Sequence, residues 1–230
     1  MAARLHGVSE EAIVVEHGMV SLPNGPIPIT EVLKPGLGSL GGEVIGNGES
    51  RKEAQPGHPL SGSAAFYEFN CTAVEAEVDT GTGAVIVVRH VSVSDVGKAI
   101  NPLQVRGQDE GAAIQGLGHT LMEHYIFDES GRIQNLGALD YRVPTSMDLP
   151  LEMLSDVVEN GDGPGPYGAK GMSEGGLLPV AAAVAAAIRD ATGVVIRDLP
   201  LTPERVWQAL SERPPSAAPV RQSVAKRARE

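Results

Sequence analysis

The chain has 230 residues, 42% of them hydrophobic, so it is long enough for one large or two small domains and can bury a core. Its single cysteine, Cys71, can form neither an internal disulfide nor, alone, a cysteine-ligated iron–sulfur cluster, which favours a reducing compartment. The net charge is −11, and residues 1–210 carry 13 basic against 27 acidic side chains, which argues against nucleic-acid binding by the body of the protein.

The two ends of the chain differ in character. The N-terminus lacks a basic segment followed by an apolar core, and no run reaches the roughly 18 apolar residues of a membrane-spanning helix. We therefore expect a cytoplasmic protein that is not exported. Residues 211–230 are basic, contain a proline-rich stretch and have no apolar period, which predicts a disordered tail. A solvated extension is favoured over a tail that contacts a partner.

The first 63 residues predict short elements followed by a long loop. Residues 12–33 alternate short apolar runs with a turn at 22–26, and a short helix over 29–33 is expected to end at Pro35. Residues 35–63 are rich in Gly, Pro, Ser and Asn. They predict a long irregular loop, which in compact domains is either functional or disordered.

A β-hairpin and a glycine-bearing helix follow. Residues 71–79 alternate with period two, 80–83 form a turn, and 84–93 form a β-branched strand. After a turn at 95–102, residues 103–124 predict a helix that keeps Gly107, Gly111 and Gly118 within about 40° on one face. Each interior glycine costs roughly 0.5–1 kcal/mol relative to alanine, so this stripe indicates a close approach by a neighbouring element or by a ligand. Gln108 and Gln115 adjoin the stripe and favour a polar ligand.

The remaining elements alternate strands and helices. Residues 126–133 predict a second hairpin and 151–158 a strand. An alanine-rich helix should run from Pro179 until Gly193 ends it, and a last helix should begin at Thr202 as N-cap with Pro203 in the first helical position. Mixed strands and helices with hairpin connections predict an α+β fold, with mixed sheets and packed helices.

The segment before the alanine-rich helix is the strongest candidate site. Seven glycines lie at positions 161, 163, 165, 168, 171, 175 and 176, and Glu174 is the one carboxylate within residues 168–176. Glycines let a backbone approach another group closely, and a helix N-terminus favours a negative charge. Glu174 is therefore either a catalytic base or anion-repelling gate, or a helix cap in a glycine-rich turn; residue types alone leave these alternatives open.

Several generic motifs are excluded. Residues 36–41 and 163–168 both match the dinucleotide-binding glycine pattern, but neither joins a hydrophobic strand directly to a helix. No phosphate-binding P-loop motif is present. His119 and His124 are five residues apart, about 140° around a helix, so they cannot share a metal from one face. We expect no metal held by protein ligands.

Four motifs in order resemble the C-terminal part of the molybdopterin-binding subunit of the xanthine dehydrogenase and aldehyde oxidase family. They are GAKGMSEGG at 168–176, DVGKAINP at 95–102 followed by GQDEGAAIQGLG at 107–118, LDYRVPT at 139–145, and LPLTPERVW at 199–207. The resemblance covers residues 64–210 well and 1–63 only loosely. It implies the second molybdopterin-binding domain of such an enzyme, with residues 1–210 as the C-terminal half of the cofactor domain.

The resemblance also implies roles for individual residues. Glu174 falls on the catalytic base, which takes the proton from the hydroxyl on molybdenum as that oxygen attacks a substrate carbon. Gln108 falls on a position that hydrogen-bonds the pterin, framed by Gln115 and the glycine stripe at 107, 111 and 118. Backbone of Gly171, Met172 and Ser173 lies beside the cofactor. Molybdenum takes no protein ligand in this family. Ser173 and Ala112 stand where the family often has glycine, and the Ser173 change reshapes the substrate side of the site.

The implied enzyme is heteromeric. It carries molybdenum–molybdopterin, in the plain or the cytosine dinucleotide form, while partner subunits carry iron–sulfur clusters and FAD. A larger molybdopterin-binding chain supplies the other half of the site. The expected reaction is oxidation of an N-heterocycle or an aldehyde-type carbon. The alternatives are a non-catalytic assembly or binding module that keeps the fold, and a related carbon monoxide dehydrogenase or thioester reductase.

Overall fold

The computed structural model describes residues 1–37, 43–49 and 64–212, which divide between two compact units, Met1–Glu49 and Ser50–Glu230. Most of the irregular loop expected over 35–63 lies outside the described residues, and so do residues 213–230 of the predicted tail. The rest is built from helices and strands together, so the α+β class is confirmed.

The first unit contains a short helix and a small antiparallel sheet. Helix α1 spans Ala2–His6. Strands β1 (Val14–Glu16), β2 (Met19–Leu22) and β3 (Gly25–Pro28) pair in that order, and the turn expected at 22–26 joins β2 to β3. Helix α2 spans Ile29–Leu37, so the prediction that Pro35 ends it was wrong. Proline removes one N–H donor, and here that loss falls in the last turn of a helix that ends two residues later.

The second unit is organised around a three-stranded sheet with the order β4, β5, β6. Strands β4 (Asn70–Val78) and β5 (Val85–Asp95) form the antiparallel hairpin that period-two alternation predicts, with a bulge between Glu75 and Ala76. Strand β6 (Glu152–Val158) is confirmed and pairs in parallel with β5, from Arg89 opposite Glu152 to Asp95 opposite Val158. A parallel pair needs a long crossover, and the chain between β5 and β6 provides it.

Helix α3 (Pro102–Leu121) begins that crossover. The Asn101 side chain caps its N-terminus by accepting from the Gln104 amide, and Pro102 takes the first helical position. The helix ends three residues before the predicted boundary, because Met122 leaves the helical conformation at φ −147° and the Glu123 amide returns to the Gly118 carbonyl. His124 therefore lies outside the helix. The second predicted hairpin is reduced to a single antiparallel bridge between Phe127 and Ile133.

Helices α4 (Val180–Thr192) and α5 (Pro203–Ser211) complete the core. Gly193 ends α4 in the left-handed conformation at φ 77°, and the Thr202 side chain caps α5, both as predicted. One cluster of buried residues joins these helices to α3 and to the sheet: Val87, Leu117, Val180, Val184, Ile188, Leu201 and Val206. The sheet therefore carries α3 and α4 on its buried face, and the elements around Glu174 are fixed to that face.

One apolar segment of this core has the length and composition of a membrane-spanning helix. Gly175–Thr192 reaches a mean hydropathy of 1.2 over 18 residues, contrary to the expectation that no run is long enough. Helix α4 itself has 13 of these residues, about 20 Å at 1.5 Å per residue, against the roughly 30 Å of a bilayer core. Its inward positions Val180, Val184 and Ile188 are buried in the protein. Within the described part of the chain, this segment is a core helix.

Candidate active site

The glycine-rich segment is anchored to the end of β5 by a buried ion pair. Lys170 Nζ lies 2.6 Å from Asp95 Oδ2 and 2.9 Å from Asp162 Oδ1, and only 3% of the Lys170 side chain is exposed. The Lys170 amide also donates to the Val96 carbonyl. Gly97, at φ +64°, passes so close that a Cβ there would lie 2.2 Å from the Gly168 carbonyl oxygen. The loop that carries Glu174 is thus fixed at its start.

The ion pair shifts the pKa of both partners. Burial by itself raises the pKa of Asp95, but hydrogen bonds from Lys170 and from the Gly97 amide outweigh it and hold that pKa below its ordinary value of 3.8. Burial lowers the pKa of Lys170, and its hydrogen bonds to Asp162 and Asp95 outweigh that effect and raise it above 10.5. The pair therefore stays charged across the neutral range.

Glu174 lies at the start of a single 3₁₀ turn, Gly175–Leu177, six residues before α4 begins. Its side chain caps neither that turn nor the helix. Instead, Gln115 Nε2 on α3 donates to Glu174 Oε1 at 3.1 Å. The carboxylate is exposed, and this is its one hydrogen bond among the described residues. Glu174 is therefore a solvent-facing carboxylate held by one oxygen, which the helix-cap alternative does not explain.

The second glutamine of α3 reaches the same loop. Gln108 Nε2 donates to the Ser173 carbonyl oxygen at 3.3 Å. Gln108 and Gln115 lie two helical turns apart, so they contact successive residues of the loop, Ser173 and Glu174. The structure therefore brings together four residues that the sequence singled out.

The glycine stripe of α3 divides into two parts. A Cβ on Gly107 or Gly111 would meet no atom within 4 Å, and both residues are exposed. Gly118 is buried, and a Cβ there would lie 2.7 Å from Pro144 Cδ and 2.1 Å from Glu123 Oε1. Packing within the chain accounts for Gly118, which is thus removed from the residues expected to frame a cofactor. Gly107 and Gly111 border open space that a ligand can fill.

The open space beside Gly107 is part of a groove between α3 and the glycine-rich loop. Its volume is about 590 Å³, and it is lined by residues of the turn after β5, of α3 and of the glycine-rich loop: Val96, Lys98, Ile100, Asn101, Gln104, Val105, Gly107, Gln108, Ala169, Lys170 and Met172. Met172 and Gln108 thus line one cavity, while Gly171 packs on the ring of Phe66. The side-chain amides and the uncovered glycine suit a flat, polar, hydrogen-bonding ligand such as a pterin.

Two contributors to this region were missed by the sequence analysis. Glu68, just before β4, and Asn70, its first residue, lie against Gly175, where a Cβ would lie 2.5 Å from an atom of each. Burial raises the pKa of Glu68 above its ordinary value of 4.5. Asp109 on α3 is fully buried beneath Gly176. The sequence carried a signal for a buried polar partner such as Asp109: Ser92 and Ser94 fall on the inward face of a strand that is otherwise rich in valine.

Within residues 1–37, 43–49 and 64–212, no three His, Cys, Asp or Glu side chains are grouped so as to hold a metal ion. The polar side chains around the groove are instead the amides of Asn101, Gln104 and Gln108 and the ammonium groups of Lys98 and Lys170. Such a lining suits an organic cofactor better than a bare cation.

The comparisons with known proteins agree with this chemistry. A family model for the molybdopterin cofactor-binding domain matches residues 1–150, which include the N-terminal part that the four motifs cover only loosely. The xanthine dehydrogenase molybdenum-binding subunit of Escherichia coli O157:H7 is 41% identical over 141 residues, or 61% of this chain. Subunit gamma of the 6-hydroxypseudooxynicotine dehydrogenase complex of Paenarthrobacter nicotinovorans is 37% identical over 148 residues, or 63% of this chain.

A solved structure extends the likeness. The structure of quinoline 2-oxidoreductase from Pseudomonas putida 86 superposes with a TM-score of 0.67 at 29% identity, over 92% of this chain and 27% of that one. The chain spans about a fifth of the length of the curated relatives, 19% of the first and 18% of the second. It therefore belongs to the molybdopterin cofactor-binding domain family, of the xanthine dehydrogenase and aldehyde oxidase type.

Proposed function

We propose that this chain supplies the Glu174 half of the active site of a molybdenum hydroxylase. The enzyme inserts water-derived oxygen into a substrate C–H bond, at an N-heterocyclic or aldehyde-type carbon. The observation that carries the proposal is the placement of Glu174, whose carboxylate is exposed and held through Oε1 by Gln115 on the helix that also lines the groove. A base needs this combination of a fixed orientation and a free oxygen.

The groove fits the cofactor that the family binds. Gly107 and Gly111 leave uncovered backbone along α3, and the Gln108 amide can both donate and accept at the groove wall. Ala169, Lys170 and Met172 form the facing side, and the backbone of Gly171 and Ser173, on either side of Met172 in the loop, is expected to lie beside the cofactor. When bound, molybdenum–molybdopterin, in the plain or the cytosine dinucleotide form, supplies the redox chemistry and the oxygen that enters the substrate.

The residues of this chain supply binding and proton transfer. Gln108 anchors the cofactor edge and, through the Ser173 carbonyl, the loop itself. Gln115 holds Glu174 Oε1, which leaves Oε2 free to accept a proton from the reacting groups. The Lys170–Asp95 pair keeps the start of the loop in place during these steps.

The active form is an assembly in the cytoplasm. This inference is supported by a relative that is named as subunit gamma of a dehydrogenase complex. A larger molybdopterin-binding chain supplies the remaining walls of the site, and iron–sulfur and FAD subunits carry electrons away. Those walls decide the substrate, because they enclose most of the pocket.

Glu174→Gln tests the catalytic role. The change is nearly isosteric, and the amide oxygen it introduces can still accept from Gln115, so assembly and molybdenum content should be unchanged. Loss of a general base should lower kcat by about 10²–10⁴-fold. Reduction of the partner cofactors on adding substrate, followed by absorbance, identifies the failing step.

Glu204→Gln is the matched control, since it removes an exposed carboxylate from the first turn of α5 and should leave turnover unchanged. Retained activity in a fully loaded Glu174→Gln enzyme would contradict the assignment. A variant that loses molybdenum while its loaded molecules turn over normally would identify Glu174 as a structural residue.

A further inference from the structure

Asp109 is a fully buried carboxylate at the centre of the second unit. It lies on α3 directly after Gln108, and its side chain turns inward to the sheet. Ser92 donates to Asp109 Oδ2, and Ser94 donates to Oδ1 at 2.9 Å. Its hydrogen-bond donors in the described part of the chain are thus two serine hydroxyls of β5, with no cation among them.

The same carboxylate supports the loop that carries Glu174. A Cβ on Gly176 would lie 2.8 Å from Asp109 Oδ1, so this glycine rests on the carboxylate. The Ser94 hydroxyl proton is shared, because Asn70 Oδ1 also accepts from it at 2.6 Å, and Asn70 Nδ2 donates to Glu68 Oε1 at 3.3 Å. Those last two side chains lie under Gly175. A polar floor of five residues, Glu68, Asn70, Ser92, Ser94 and Asp109, therefore lies beneath the two residues that follow Glu174.

A second side of α3, about 100–120° around the helix from Asp109, contacts the loop residues Ser173 and Glu174. Gln108 and Gln115 donate to Ser173 and Glu174, while Asp109 fixes the same helix to β5. A shift of α3 along β5 would move both glutamines and Asp109 relative to the other four residues of the floor. The position of the Glu174 carboxylate thus depends on the register between α3 and β5, and the two serine hydroxyls specify that register.

We propose that Asp109 is a positioning residue for Glu174, acting through the Ser92 and Ser94 hydroxyls and the Gly176 backbone; this inference rests on the function proposed above. If position 109 only filled space, an apolar side chain would pack there equally well. Burying a carboxylate carries a desolvation cost that two hydroxyl donors only partly offset. Directional hydrogen bonds instead hold one register, which packing of small side chains such as Ala112 and Ala113 does not specify.

Asp109→Asn in the assembled enzyme tests this inference by hydrogen exchange. The Leu177 amide donates to the Glu174 carbonyl and the Leu178 amide to the Gly175 carbonyl, so their exchange reports the order of the turn directly. We expect exchange of these two amides to rise at least about tenfold, while the amides of α4 keep their protection. Molybdenum content should be unchanged, and kcat per molybdenum should fall by up to about 10²-fold with little change in KM.

Two further variants keep the test decisive. If Asp109→Asn does not fold, Ser94→Ala takes its place in the test. Ser94→Ala removes one hydrogen-bond donor to Asp109 without changing α3, and it should give a smaller rise in exchange of the same two amides. Glu110→Gln removes the neighbouring carboxylate, which pairs with Arg106 on the outer face, and should change neither exchange nor kcat.

Three results would overturn the proposal. The first is wild-type exchange at Leu177 and Leu178 in both Asp109→Asn and Ser94→Ala. The second is a uniform loss of protection that includes α4, which would make Asp109 an ordinary stabilising residue. The third is wild-type exchange and kcat in a triple apolar variant, Asp109→Leu with Ser92→Ala and Ser94→Ala. Failure of the proposed function is recognised separately, because it would leave Glu174→Gln fully active whatever the exchange shows.

Discussion

Removing the buried carboxylate at the end of β5 should destabilise the second unit strongly. Asp95→Asn leaves Lys170, whose side chain is 3% exposed, with the exposed Asp162 as its remaining ion-pair partner. Breaking a buried pair by removing one partner costs about 3–5 kcal/mol, because the other charge stays buried. The remaining bond to Asp162 reduces that cost, so we expect a loss of about 3 kcal/mol in the free energy of unfolding.

The effect should depend on pH in a defined direction. The pKa of Asp95 is lowered by folding, so its contribution to stability is full above its ordinary value of 3.8 and is lost as pH falls through the lower folded value. The pKa of Lys170 is raised, so its contribution is full below 10.5 and is lost as pH rises through the higher folded value. The difference between wild type and Asp95→Asn should therefore be constant from about pH 5 to 9 and narrow below 3.8.

Urea unfolding of both proteins, at equal cofactor saturation and at a series of pH values, measures this difference. Asp162→Asn is the control, since it removes the other ion-pair partner of Lys170. The side chain of Asp162 is 61% exposed. A largely exposed ion-pair partner contributes about 0–1 kcal/mol. Equal losses in the two variants, or a difference that widens below pH 3.8, would refute the reasoning.

Two glycines of α3 should respond differently to the same substitution. Gly118→Val should lower the melting temperature, since a Cβ there would lie 2.7 Å from Pro144 Cδ. A Cβ at Gly107 would have no neighbour within 4 Å, so Gly107→Val should lower molybdenum content without lowering stability. Thermal unfolding and metal analysis separate them, and equal stability losses would contradict the division of the stripe. Expressed alone, the chain should be insoluble or free of cofactor, because apolar residues such as Leu139 and Met147 are about nine-tenths exposed. Co-purification with a larger molybdopterin-binding chain checks this, and a soluble monomer with full molybdenum would refute it.

Local patterns predicted the elements of the second unit well. Period-two alternation predicted the β4–β5 hairpin, and the chemistry of Thr202, Pro203 and Gly193 predicted where α5 begins and α4 ends. These features depend on residues a few positions apart, so the sequence displays them directly. The end of α2 was misplaced because a proline in a final turn costs one hydrogen bond and need not stop the helix there.

The sequence by itself also singled out Glu174, Gln108 and Gln115, by residue type and by motif, and left open whether the glutamate caps a helix. Only the tertiary structure decided what these residues contact. Gln108 reaches Ser173 and Gln115 reaches Glu174 across separations of 65 and 59 residues, and the parallel pairing of β6 with β5 is likewise distant in sequence. Such contacts depend on how α3 packs against the sheet and the loop, which no local period encodes. The same packing made Gly118 a structural glycine, left Gly107 open and buried Asp109 beneath the loop.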